Sequence, residues 1–106
     1  MTDQQLQDEI AHITQQLVEQ YGAEKVILFG SAARGEFSDD SDLDFFIIKK
    51  NPPHLGKDRL LELDRLIHYT LPTDMIVYRP EEFESLQRMG DPFIQMIIAE
   101  GKILHG

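Results

Sequence analysis

The sequence predicts an α/β protein with a small mixed β-sheet and flanking helices. Apolar residues recur at helical spacing near the amino terminus, and three short apolar runs are bounded by polar residues, glycine or proline, as buried strands are. These runs alternate with helical segments, and a sheet layered with helices buries such faces. With 106 residues, of which 42% are hydrophobic, we expect a single domain spanning residues 1–106.

The first predicted element is a helix from about Thr2 to Tyr21. Its apolar stripe recurs every three or four residues and consists of Leu6, Ile10, Ile13, Leu17 and Tyr21. Thr2 and Gln5 fit a capping box, and Gly22 stands where a helix ends. The apolar run Lys25–Phe29 then predicts the first strand.

Two further strands follow from apolar runs. Asp42–Ile48 is predicted to be a strand that cannot continue through Pro52-Pro53. The run Thr73–Tyr78 is predicted to be the third strand. The final residues, Lys102–Gly106, are predicted to form a tail outside a three-stranded sheet.

Three more helices are predicted around these strands. Leucine spacing favours a helix from about His54 to Tyr69. Pro80 begins the next helix in its first turn, and Gly90 ends it. Asp91-Pro92 caps and starts the last helix, which extends to about Glu100.

Composition excludes several classes of protein. Ten basic against nineteen acidic residues give a net charge of −9, which disfavours nucleic-acid binding because that affinity comes mainly from Lys and Arg. The chain has no cysteine, so it has no disulfide framework, zinc ribbon or thiolate catalyst. The sequence shows no apolar run of roughly 20 residues and no signal-peptide pattern. We therefore expect a cytoplasmic protein without membrane association.

The acidic residues are concentrated where they suggest chemistry. Side chains alternate along a strand, so Asp42 and Asp44 are predicted to project from one face, about 7 Å apart. Mg²⁺ relieves such repulsion, because it binds carboxylate oxygens together with waters and substrate phosphates. Asp74, a lone acid in the next apolar run, reaches the same cluster if the two strands are neighbours. Three carboxylates on adjacent strands are typical of a two-metal phosphoryl-transfer site.

A phosphate-binding candidate precedes these acids. Gly30-Ser31 ends the first strand and opens a predicted helical turn, where free N–H groups favour an anion. Arg34 is placed to meet a phosphate one turn later, or alternatively to pair with the neighbouring acids. The segment is not a P-loop, because Glu36 occupies the position of the required lysine.

Taken one at a time, the acids and aromatic residues of this segment also have structural explanations. An isolated Asp-x-Asp is usually a surface turn, and Asp39 and Asp40 are explained by Asx turns. The combination with Gly-Ser at the right distance and with a third strand acid favours the functional interpretation. Phe45-Phe46 is expected in the core rather than under a nucleobase.

The run Val26–Phe46 resembles the signature of the polymerase-β-type nucleotidyltransferase superfamily. In that signature Gly-Ser is followed after about ten residues by Asp-x-Asp, as in Gly30-Ser31 and Asp42-Leu43-Asp44. Arg34-Gly35 matches a further family position, and the family's third acid falls on Asp74. The chain is especially similar to the minimal nucleotidyltransferases, the small antitoxins encoded beside HEPN ribonuclease toxins.

The resemblance implies the polymerase-β-like nucleotidyltransferase fold, and with it an activity and a partner. Asp42, Asp44 and Asp74 would be catalytic and would hold two Mg²⁺ ions, while Gly30 and Ser31 would bind the phosphates of ATP. AMP would be placed on a tyrosine of a HEPN toxin, so the protein would silence the toxin and form a hetero-oligomer with it.

Two alternatives remain open from the sequence. The first is that the protein neutralises its partner by binding alone, with an acid cluster that is not catalytic. A transfer to a small-molecule acceptor is the other alternative, although such an acceptor site usually needs a second domain.

Overall fold

The computed structural model describes residues 1–106, in which five α-helices and four strands follow one another along the chain. The strands are β1 (Lys25–Phe29), β2 (Leu43–Ile48), β3 (Thr73–Tyr78) and β4 (Lys102–His105). The helices are α1 (Asp3–Gln16), α2 (Gly30–Ala33), α3 (Gly56–Leu66), α4 (Pro80–Arg88) and α5 (Pro92–Glu100). None of them has the length and apolar character needed to cross a membrane.

The four strands form one mixed sheet in the order β3–β2–β1–β4. Strand β1 is antiparallel to both β2 and β4, whereas β2 and β3 are parallel. This confirms the predicted α/β class with a small mixed sheet.

The expected tail is wrong, because Lys102–His105 forms strand β4 on the free side of β1. The pairing sets Ile103 opposite Ile27 and Lys102 opposite Leu28. Four residues are too few to show a strand pattern by themselves. Their conformation depends on a partner that lies more than seventy positions earlier in the sequence.

The first helix begins and ends as its sequence predicts. The Thr2 hydroxyl accepts a hydrogen bond from the Gln5 N–H at 3.1 Å, and the Gln5 side chain accepts from the Thr2 N–H at 2.8 Å. After α1, one π-helical turn over Leu17–Tyr21 continues the same helix. Gly22, with φ +82°, ends it in the left-handed region that glycine tolerates.

The sheet separates two apolar layers. On one face, α1 and α3 cover a core that includes Ile13, Leu17, Leu43, Phe45, Ile47 and Leu63. On the other face, α4 and α5 cover Ile27, Phe29, Phe46, Ile48, Ile94 and Ile97. Side-chain alternation along β2 therefore buries Phe45 and Phe46 on opposite faces, and their expected place in the core is confirmed.

Helix α3 is shorter than the leucine spacing predicts. It begins at Gly56 and ends at Leu66, and Ile67 already has an extended backbone. The next N–H groups donate to side chains of α1 instead of continuing the helix: His68 donates to Gln16, and Thr70 donates to Glu9. Contacts with a distant helix thus replace the last predicted turn.

Candidate active site

Two of the predicted acids lie side by side on neighbouring strands. The parallel register of β2 and β3 places Asp44 directly opposite Asp74. Paired residues project from the same face of a sheet, on strands about 4.8 Å apart. Asp42 lies one residue before β2 and is exposed. The structure therefore brings all three acids to one end of the β2–β3 pair.

Gly30 lies directly beside Asp44. In the β1–β2 pairing, Asp44 is opposite Phe29, the residue before Gly30. A Cβ atom at Gly30 would collide with the Asp44 Oδ2 atom, and the φ of +74° there also favours glycine. The predicted Gly-Ser turn and the predicted acids thus form one site.

The predicted helical turn after β1 is also present. It begins at Gly30 and ends at Ala33, and the Arg34 N–H donates to the Gly30 carbonyl at 3.2 Å. Ser31, half-buried, is the second residue of this turn. The backbone therefore changes direction next to the acids, as close approach of a phosphate requires.

The electrostatics of Asp44 are unfavourable to its own charge. Burial is the largest cause that raises the pKa of Asp44, and the carboxylates of Asp74 and Asp42 raise it further. Arg34 opposes this rise without cancelling it. No hydrogen-bond donor contributes to stabilising the charged form. The site thus holds unbalanced negative charge.

The donor set suits a hard divalent cation completed by its substrate. No group of three or more His, Cys, Asp or Glu side chains is close enough to form a metal centre by itself. Magnesium sites in nucleotide enzymes commonly use one or two carboxylates, with waters and substrate phosphates as the other ligands. Asp44 and Asp74, adjacent and lacking donors, fit that role.

Of the two roles predicted for Arg34, a phosphate contact or an ion pair with a neighbouring acid, the structure shows the ion pair. Its Nε atom donates to the Glu36 carboxylate at 3.2 Å, and both side chains are exposed. Such an exposed pair contributes little to stability. The charge of Arg34 nevertheless opposes the rise in the pKa of Asp44. Its role as a phosphate ligand stays a prediction.

A cavity of about 430 Å³ adjoins the two facing acids. Asp44 and Asp74 form part of its wall. No local sequence pattern assigns a role to the other lining residues, which include Phe29, Leu60, Asp64, Tyr69, Thr73 and Ile76. The sequence predicts Leu60 and Tyr69 only as residues of a helix, and their spacing does not reveal that they border the acids.

Two side chains of α1 hold the loop that leads to Asp74. Glu9 accepts hydrogen bonds from the Thr70 hydroxyl at 2.7 Å, from the Leu71 N–H at 3.2 Å and from the Thr70 N–H. Gln16 donates to the His68 carbonyl and accepts from the His68 N–H, both at 2.7 Å. These contacts fix the entry to β3 and therefore the position of its acid.

Comparisons with known proteins agree with this geometry. A family model described as a nucleotidyltransferase domain matches residues 8–105. The chain belongs to this family. A solved structure of a candidate nucleotidyltransferase from Sulfolobus solfataricus superposes with a TM-score of 0.60 and 22% identity, covering 97% of this chain and 87% of that one. A comparison with curated proteins gives no significant match.

Family membership establishes the general chemistry. Nucleotidyltransferase domains catalyse nucleotidyl transfer and generally use divalent metals, which agrees with the predicted polymerase-β-like fold and transferase class. The likeness to the solved structure supports the fold.

Proposed function

We propose that this nucleotidyltransferase moves AMP from ATP to a tyrosine hydroxyl of a HEPN ribonuclease toxin and acts as its antitoxin. The observation that carries the proposal is the pairing of Asp44 with Asp74 directly beside Gly30. This arrangement sets the phosphate-binding turn and the acids within reach of one substrate.

Each residue has a chemical role in this transfer. Gly30 and Ser31 bind the triphosphate through backbone N–H groups and the hydroxyl. Asp42, Asp44 and Asp74 would hold two Mg²⁺ ions, which when bound neutralise phosphate charge and help to ionise the acceptor. Asp74, the more exposed of the facing pair, accepts the proton of the acceptor hydroxyl. The acceptor oxygen then bonds to the α-phosphorus, the bond to the β-phosphate bridge breaks, and pyrophosphate leaves.

Two features support a protein acceptor. The net charge of −9 disfavours a nucleic acid, which carries the same sign of charge. The signature around Gly30 and Asp42 resembles that of the minimal nucleotidyltransferases, whose acceptor is a partner toxin. Catalysis here depends on holding a hydroxyl in line with the α-phosphate, and a docked protein supplies that positioning.

Intact-mass spectrometry of a HEPN partner tests the proposal. After incubation with ATP and Mg²⁺, we expect AMP adducts on a partner tyrosine with release of pyrophosphate. The protein without its partner should show negligible ATP turnover, because neither water nor free tyrosine is positioned. A partner that is inhibited but unmodified would overturn the transfer and favour inhibition by binding alone.

A further inference from the structure

We infer that the acceptor enters this site as an extended polypeptide segment that pairs with the outer edge of β3 over Thr73–Met75. The inference rests on the proposed function and specifies how its acceptor binds. Strand β3 is at one end of the sheet order, so one side of its backbone has no neighbouring strand. The acid Asp74 lies in the middle of the segment concerned.

The orientation of backbone groups along β3 follows from two hydrogen bonds. The Leu43 N–H donates to the Pro72 carbonyl at 3.0 Å, and the Lys49 N–H donates to the Tyr78 carbonyl at 3.1 Å. These even-numbered carbonyls therefore face β2. Because backbone groups alternate along a strand, the N–H and C=O groups of Thr73, Met75 and Val77 face outward.

Arg59 covers this edge at one end only. Its Nη1 atom donates to the Val77 carbonyl at 2.8 Å, which agrees with the outward orientation of that carbonyl. The Arg59 side chain is buried and is also held by the Pro53 carbonyl at 2.6 Å and by Glu82 at 2.9 Å. Proteins usually protect edge strands, because free edges pair with other chains. Here the protection ends before Met75.

A continuous groove follows the unprotected part of the edge. The 430 Å³ cavity at the acids and a second cavity of about 200 Å³ share Leu60, Met75 and Ile76. Leu60 and Tyr69 on the rim are 46% and 40% exposed, which is high for large apolar side chains. The groove runs from the catalytic acids along β3, as an added strand would.

These features define the chemistry of the occupant. A strand added at Thr73–Met75 gains main-chain hydrogen bonds, while its alternate side chains enter the groove. The residue opposite Asp74 projects from the same face as the two acids, so this position suits the accepting tyrosine. Its neighbours should be apolar towards Leu60 and basic near Asp64.

Amide hydrogen exchange tests edge pairing without requiring catalysis. The probe is the unreactive peptide acetyl-Lys-Val-Phe-Val-Lys-amide. At tenfold excess over its dissociation constant, it should slow exchange of the Thr73 and Met75 amides by about tenfold. A matched peptide with N-methylated valines lacks the donors and should not do so. Unchanged exchange, or equal protection by both peptides, would overturn the inference.

A proline variant provides a second measurement. Thr73→Pro removes one outward N–H at the first residue of the strand, where proline is tolerated. Thr73→Val is the matched control, because it keeps the N–H and, like the proline variant, loses the hydroxyl that donates to the Leu71 carbonyl. We expect Thr73→Pro to bind the phenylalanine peptide at least about tenfold more weakly than Thr73→Val does. Equal affinities would contradict edge pairing, and the N-methylated peptide decides the question if the proline variant does not fold.

The transfer reaction separates this inference from the proposed function. The tyrosine form of the peptide should acquire AMP faster than N-acetyltyrosinamide, which has a hydroxyl but no strand. Equal rates of AMP transfer to the two compounds would contradict edge pairing but would still support the proposed transferase function. If neither compound nor a HEPN partner is modified, the proposed function fails, whereas the exchange experiment still decides whether peptides bind the edge.

Discussion

Glu9 is a buried carboxylate and Asp44 a partly buried one, and their surroundings shift their pKa values in opposite directions. Glu9 accepts three hydrogen bonds from Thr70 and Leu71. Burial alone would raise the pKa of Glu9, but these donors outweigh it and hold the pKa below its usual value. Asp44 has no such donors, and burial with two neighbouring acids raises its pKa.

Hydrogen-bond donors around an acid indicate a charge that stabilises the fold, whereas a lack of donors beside other acids favours a charge that binds a ligand. An acid with donors joins parts of the chain, as Glu9 joins α1 to the loop before β3. An acid beside other acids costs stability and persists where a bound group repays that cost. Arg59 resembles Glu9 in this respect, because its buried charge has hydrogen-bond partners. Every polar contact of Arg59 is to a carbonyl or to Glu82.

The largest effect is expected from Asp44→Asn. If Asp44 is a metal ligand, as the proposed function requires, its loss should remove several kcal/mol of transition-state stabilisation, and nucleotidyl transfer should fall more than about a hundredfold. The protein should stay folded, because Asp44 has no hydrogen-bond partner to lose. A Mg²⁺/ATP assay with the modified partner as readout, together with circular dichroism, measures both properties.

Asp39→Asn is the matched control for that variant. Asp39 is an exposed acid in the turn before β2, and the charge change is identical. Transfer by Asp39→Asn should stay close to that of the wild type. Activity of Asp44→Asn within twofold of the wild type would show that the acid pair is not catalytic.

A smaller effect is expected from Asp42→Asn on thermal stability. Removing one of the like charges should raise the melting temperature in EDTA above that of the wild type. A ligand at a hundredfold excess over its dissociation constant stabilises a protein by about 2.7 kcal/mol, and the variant should gain less than this from Mg²⁺ with ATP. Scanning calorimetry with and without the metal measures both changes. A lower melting temperature in EDTA would mean that the acids do not repel each other in the metal-free protein.

Glu9→Gln should lower the free energy of unfolding by about 1.5–3 kcal/mol, the usual contribution of hydrogen bonds to a charged group. The matched control is Glu19→Gln on the same helix, where the carboxylate is exposed and contacts only Gln15. Urea unfolding monitored by circular dichroism gives both values. Equal stabilities of the two variants would show that the three contacts of Glu9 do not hold the loop.

The sequence predicts most of this architecture because its signals are local. Apolar periodicity and caps determine the first helix and β1 to β3, and the spacing from Gly30 to Asp44 predicts that the turn and the acids meet. The contributions of Glu9 and Arg59 are not predictable in this way. The partners of Glu9 lie 61 and 62 positions away, and Arg59 reaches Val77 and Glu82 at 18 and 23 positions. Each residue looks like a surface charge on a helix. Strand β4 is not predictable for the same physical reason, because its partner β1 is distant in the sequence.

The smallest effect concerns the pH dependence of the Glu9 contribution. Because the pKa of Glu9 is lower in the folded state than its ordinary value of 4.5, the folded state favours the charged form. Its stabilisation is fully present well above pH 4.5 and is lost as the pH falls through the lowered folded-state pKa. The difference in unfolding free energy between wild type and Glu9→Gln should therefore be constant near neutral pH and should shrink below pH 4.5. Urea titrations at a series of pH values measure this difference. If the difference in unfolding free energy stays constant down to the pH of acid unfolding, the charge of Glu9 does not provide the stabilisation. The contrast between Glu9 and Asp44 that is drawn from their opposite pKa shifts would then fail.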